Sequence, residues 1–169
     1  MTTTIPILAI DPSGTSTTGL FYFENWSNYK ITSFTNENWL KQAENLQNLV
    51  KKKGVNIIAC EIGNMWKRTG YTYHFDKLIK LVGWCEYLAH QEGIEYVPVG
   101  NYHRKRWEDQ AQEGKIAGLV CQLEQGKKGR PKKVWYFKGQ KLNEHEKDAV
   151  LIFYIYWVKF QKKEWPFSN

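Results

Sequence analysis

At 169 residues the chain has room for one domain with a sizeable core, which excludes a large two-domain enzyme. Its 24 Lys and Arg outweigh 17 Asp and Glu for a formal charge of +7. No run of about 18 uninterrupted apolar residues occurs, which excludes a helical membrane span.

Pro6 to Asp11 predicts a central strand, apolar throughout and ending on a carboxylate. A Ser/Thr/Gly turn follows, and Gly19 to Glu24 predicts a second strand. After the turn at Asn25 to Asn28, Tyr29 to Phe34 continues the meander. A helix beginning at Thr35 or Asn36 runs to about Lys53, its apolar positions Leu40, Ala43, Leu46, Leu49 and Val50 spaced by three and four; Gly54 stops it. Val55 to Cys60 predicts a fourth strand that ends at Glu61. A polar connection over Ile62 to Tyr73 leads into a helix from about His74 to Gln91, and Ile94 to Val99 predicts a fifth strand. Tyr102 to about Gln125 reads as helix in two pieces broken near Gly114, and Asn143 to Phe160 as a final helix with a nearly all-apolar body. Three antiparallel strands followed by alternating helices and strands predict an α/β fold of ribonuclease H-like layout. Its centre is a mixed five-stranded sheet flanked by helices.

Cys60, Cys85 and Cys121 are scattered among apolar residues with no C-x-x-C, as expected of reduced thiols in a cytosolic protein. Met1 to Pro6 lacks the basic start of a signal peptide. The charge excess is local. Seven bases and no acid lie between Gln125 and Asn143 (Lys127, Lys128, Arg130, Lys132, Lys133, Lys138 and Lys141), and the rest of the chain balances at 17 of each sign. On a single domain spanning 1–169, the segment 126–141 therefore reads either as an insertion or loop that binds a polyanion such as DNA or as a solvated surface loop. Its aromatic run either offers Trp135, Tyr136 and Phe137 for stacking on unpaired bases or forms a short strand packed on the sheet. Lys67 and Arg68 beside Trp66 offer a second contact.

Asp11 and Glu61 end two strands that are parallel neighbours in such a sheet, so both carboxylates project from one edge. Oxygen ligands of this kind suit Mg²⁺ or Mn²⁺. At the start of the final helix His145 and Asp148 are three apart and share a face.

Three stretches carry a family likeness: Ile7-Leu8-Ala9-Ile10-Asp11-Pro12 with Thr15, Thr18 and Gly19; Ile57-Ile58-Ala59-Cys60-Glu61; and His145-Glu146-Lys147-Asp148-Ala149-Val150. With them the chain resembles the RuvC-type Holliday junction resolvases of the ribonuclease H-like superfamily, and is similar to their short phage-borne relatives. The resemblance implies phosphodiester hydrolysis with two Mg²⁺ (or Mn²⁺) ions, and Asp11, Glu61, His145 and Asp148 as catalytic and metal-binding residues. It implies a homodimer matched to the two-fold symmetry of a four-way junction. Other branched DNA is an expected partner, with no membrane and no nucleotide cofactor, in the cytoplasm of a bacterial cell or a phage-infected host. Trp66 stands displaced from the family's wedging aromatic. Asn101 to Lys115 keeps Lys105 and Lys115 as DNA contacts without the family's Gly/Lys pattern.

Two other classes share features with this reading. A ribonuclease H or transposase would use the same superfamily fold, and an actin-like or sugar-kinase-like phosphotransferase also opens with a strand, an Asp and a Gly/Thr turn. A third possibility is a branched-DNA binder without turnover.

Overall fold

The computed structural model describes residues 5–63, 73–100, 104–126, 130–165 and 167. Its centre is a five-stranded sheet in the order β3-β2-β1-β4-β5. The strands are β1 (Ile7–Asp11), β2 (Thr17–Asn25), β3 (Asn28–Thr35), β4 (Ile57–Ile62) and β5 (Glu95–Gly100). The first three pair antiparallel, and β4 and β5 run parallel to β1. This is the mixed sheet expected from the strand and helix order.

Alternation along the strands builds two cores, one on each face. Leu8, Ile10, Leu20 and Tyr22 face α1 (Trp39–Lys53) and α2 (Tyr73–Glu92), which deliver Leu46, Val50, Leu81 and Cys85. Ile7, Ala9, Phe21 and Phe23 face α4 (Glu144–Ile155), which is buried nearly all round. Phe153 of α4 stacks among Phe21, Phe23 and Trp157, with ring centroids 4.6 to 5.7 Å apart. Burying each such ring contributes about 1.5–3 kcal/mol. The helix continues as a π-helical turn over Tyr156–Phe160.

Two sequence expectations change. The first helix starts at Asn38, whose side chain accepts from the Leu40 amide, because β3 extends to Thr35 to pair with Thr17. The stretch expected to be helical to Gln125 is helical only as α3 (Arg104–Gln112). Gly114 and Gly118 at positive φ end it, and Leu119–Gln125 becomes a strand, β6. β6 pairs with β7 (Pro131–Phe137), which pairs with β8 (Gln140–Leu142), to form a second, three-stranded sheet. That sheet packs on α3 and α4 and encloses Val134, Trp135, Phe137 and Leu142. Much of the basic segment is thus strand. Among the described residues no helix is long and apolar enough to cross a membrane.

Candidate active site

Strand alternation decides where the acids point. Ile7 and Ala9 of β1 and Ile57 and Ala59 of β4 face the core under α4, so the period of two carries Asp11 and Glu61 to that same face. The parallel register pairs Ile10 with Cys60, which sets Asp11 and Glu61 side by side one step further along. Helix α4 enters across this edge. It is admitted by Gly19, the partner of Asp11 on β2, where a Cβ would collide with the His145 carbonyl. Its start is fixed by a capping box between Asn143 and Glu146, and Glu146 also accepts from Ser33 of β3. Glu146 is therefore committed to holding the helix end.

The result brings Asp11, His145 and Asp148 to one cleft, with Glu61 next to Asp11 on β4 and joined to Asp148 through Arg104. Asp11, Glu61 and Asp148 are 7 to 8% exposed. His145 Nδ1 lies 2.8 Å from Asp11 Oδ2. An open cleft of about 320 Å³ lies over Asp11, His145 and Asp148 and is also lined by His74 and Arg104.

The turn after Asp11 is held from behind. The Ser13 amide donates to Thr18 Oγ1, which donates to Gln42 Oε1; Gln42 Nε2 donates to the carbonyls of Ser16 and Asn36 at 3.2 and 2.6 Å. Gln42 is wholly buried. Thr15 Oγ1 meets His74 Nδ1 at 2.9 Å, tying the turn to α2.

Three contributors were not expected from sequence. Arg104 Nη1 donates to both Glu61 oxygens at 3.3 Å and to Asp148 Oδ2 at 3.1 Å. His74 lines the cleft. Lys147 is buried with its ammonium 3.0 Å from Glu144 and from Asp148 and 3.3 Å from Glu108, over the ring of Trp135. Its contact with Asp148 Oδ1 lacks hydrogen-bond geometry, so that buried oxygen has no hydrogen-bond donor. A signal for Arg104 exists: it follows the end of β5, which runs parallel to β1 and β4 and therefore delivers the next residues to the same edge.

Burial pushes the Glu61 carboxyl up to about 7; Arg104 counters this, and the charges of Asp11 and Asp148 add to it. Burial likewise raises Asp148, offset in part by Lys147 and Arg104. The hydrogen bond to Asp11 holds the His145 pKa above its usual value against partial burial. For Lys147, burial pulls downward, but the Asp148 and Glu144 partners outweigh it. These acids crowd one another in a partly dry place, which calls for cations.

The donor set, three buried carboxylates and an imidazole, suits a hard divalent ion in kind. Among the described residues, however, no group of three or more His, Cys, Asp or Glu side chains stands in metal-holding geometry. The Arg104 guanidinium bridges two of the carboxylates.

The predicted DNA contacts divide. Arg130, Lys132 and Lys133 are exposed on β7 and its approach, and Lys105 and Lys115 are exposed on α3 and just beyond it. Trp66, Lys67, Arg68, Lys127 and Lys128 lie outside the described residues. Trp135 is corrected: at 2% exposure it is a core residue and cannot stack on a base. Tyr136 is half-buried, its hydroxyl donating to Glu124.

No protein-family model and no curated protein sequence matches the chain. Among solved structures it is similar to Thermus thermophilus RuvC in complex with a Holliday junction substrate. The identity is 12% and the TM-score 0.51, over 90% of this chain and 94% of that one. Weaker likenesses are to YeaZ from Pseudomonas aeruginosa (14% identity, TM-score 0.42, 82% of this chain and 63% of that one) and to the Fowlpox virus resolvase in complex with Holliday junction DNA (10%, 0.36, 63% and 72%). The first likeness establishes the fold as α/β and ribonuclease H-like; the other two carry no further argument.

Proposed function

We propose that the chain is a divalent-metal-dependent endonuclease that cuts four-way and other branched DNA, working as a homodimer in the cytoplasm of a bacterial cell or a phage-infected host. One observation carries the reading: β1, β4 and α4 bring Asp11, Glu61, His145 and Asp148 to one edge of the sheet, where Asp11, His145 and Asp148 line an open cleft. The fold shared with a resolvase solved on a junction supports it.

Asp11, as a shared ligand, and Glu61 and Asp148 would hold the Mg²⁺ or Mn²⁺ ions. When bound, such a pair activates water and stabilises the leaving oxygen of a phosphodiester. His145 presents the nitrogen not bonded to Asp11 to the cleft, as ligand or proton carrier. The hairpin of β6 and β7 is a DNA-binding insertion in a single domain, its Arg130, Lys132 and Lys133 holding phosphates without reading sequence. The Ser13 amide is already bonded to Thr18, so that donor is not free for a nucleotide phosphate. This weighs for a nuclease over a phosphotransferase.

Labelled four-way, three-way and linear duplexes, offered with Mg²⁺ to wild type and to Asp11→Asn, test the reading. Cleavage of branched forms by wild type alone is expected. Absence of Mg²⁺-dependent cutting of any branched form would overturn the enzyme, equal cutting of linear duplex the selectivity, and a strictly monomeric protein with and without DNA the dimer.

A further inference from the structure

The acid cluster is closed by a cation that the chain itself supplies. Arg104 reaches down from the first turn of α3, and one nitrogen of its guanidinium touches three oxygens: both of Glu61 and Oδ2 of Asp148. Those two carboxylates are 9 and 11% exposed, whereas the arginine side chain is 36% exposed and lies at the cleft lip beside Asp11 and His145. Two features separate this from an ordinary structural ion pair. The oxygens it engages belong to the residues assigned above to metal binding, so the arginine and a divalent ion compete for the same lone pairs. The arginine is also the most exposed of the three partners and has the cleft to move into, while both acids are fixed by strand β4 and by the buried helix α4.

We propose that Arg104 is a displaceable counter-ion: it neutralises Glu61 and Asp148 while no metal is present, yields them to the divalent ion, and then turns its planar fork to a DNA phosphate at the cleft lip. The proposal rests on the nuclease reading and adds a consequence to it. A monovalent cation seated among the ligands weakens metal binding by the free protein. A phosphate that draws the guanidinium away lifts that competition, so DNA and metal bind with positive coupling, reciprocal by linkage. The guanidinium is suited to both positions, because its paired N–H groups fit a carboxylate and a phosphate alike and it stays charged throughout.

The test is Mn²⁺ binding by wild type, Arg104→Gln, Arg104→Lys and Arg106→Gln, followed by electron paramagnetic resonance of free Mn²⁺, with and without a four-way junction. Arg106 is exposed on the same helix and controls for loss of one charge. Arg104→Gln is expected to bind Mn²⁺ at least tenfold more tightly than wild type without DNA, Arg104→Lys to fall between, and Arg106→Gln to stay within about twofold. Junction DNA should tighten Mn²⁺ binding more in wild type than in Arg104→Gln. Equal or weaker Mn²⁺ binding by Arg104→Gln would overturn the proposal and leave the nuclease standing, and so would an equal gain in Arg106→Gln. Should Arg104→Gln not fold, Arg104→Lys must still bind Mn²⁺ more tightly than wild type, or the proposal fails. No Mn²⁺ binding by any folded variant, together with no cleavage, would remove the nuclease reading and this inference with it.

Discussion

His145 Nδ1 stands 2.8 Å from Asp11 Oδ2, a bond between the end of β1 and the first turn of α4 that spans 134 residues of sequence. The carboxylate favours the charged imidazole and raises its pKa above 6.5, although partial burial works against this. In the metal-free protein, NMR titration should therefore find His145 above its usual value, and Asp11→Asn should bring it down. If His145 moves protons in the proposed reaction, His145→Ala should lower cleavage by about 10²–10⁴. A His145 pKa unchanged by Asp11→Asn would refute the coupling.

At Gly19 α4 and the sheet come too close for a side chain. Any side chain there meets the His145 backbone rather than a flexible tip, so the helix start must move. Gly19→Ala should cost about 1–3 kcal/mol or more, read as a lower midpoint in denaturant. It should also impair cleavage in the remaining folded fraction, since His145 is on the displaced turn.

Glu61 makes metal-free stability depend on pH. Its folded pKa, pushed up to about 7, exceeds the ordinary value of 4.5, so the folded state holds the proton more tightly. The associated stability is complete below about 4.5 and is lost as pH rises through about 7, a change on the order of 3 kcal/mol. Glu61→Gln removes the titration. It should match wild type near pH 4 and be the more stable of the two at pH 8 in the presence of a chelator, by chemical denaturation. A constant difference across that range would show that Glu61 does not titrate there.

How far the chain could be read in advance follows from which interactions are local. The alternation Ile7, Ala9, Asp11 and Ile57, Ala59, Glu61 and the helical spacing of His145 and Asp148 are sequence patterns, and they placed the acids on one edge. Arg104 was not legible in this way, because its partners come from β4 and α4 and nothing in Arg104-Lys105-Arg106 says which cation turns inward. Leu119 to Gln125 reads as helix because its apolar residues, Leu119, Val120, Cys121 and Leu123, fit neither period cleanly, and the strand it pairs with is a separate stretch of sequence. For Trp135 the neighbouring lysines suggest a DNA face, but β7 buries both Val134 and Trp135 and leaves Lys132 and Lys133 exposed.

Gln42 shows how a distant element secures the site. Wholly buried on α1, it accepts from Thr18 and donates to the carbonyls of Ser16, in the turn after Asp11, and of Asn36, just beyond β3. Gln42→Leu fills similar space but removes the acceptor of the Thr18 hydroxyl and a donor to the Asn36 carbonyl, while the Ser16 carbonyl keeps the Asn36 amide, at a cost of about 1–3 kcal/mol in total. Thermal unfolding checks this, and faster amide exchange confined to residues 13–18 would locate the damage. Unchanged stability would mean that water replaces the amide without penalty.

The second sheet separates stability from binding along one strand, exposed at its start and buried towards its end. Trp135 is packed inside beneath the Lys147 ammonium, which lies 5.4 Å from its ring centroid. Trp135→Ala should therefore cost about 3–5 kcal/mol, and any loss of DNA binding should track the unfolded fraction. Arg130, Lys132 and Lys133 face solvent on the same hairpin, so their joint replacement by Ala should leave the melting temperature nearly unchanged. On the proposed reading each contacts a phosphate, and the slope of log affinity against log salt should fall by about 2–3. An unchanged slope in the triple variant would remove the hairpin from the DNA-binding surface, whatever the acids do.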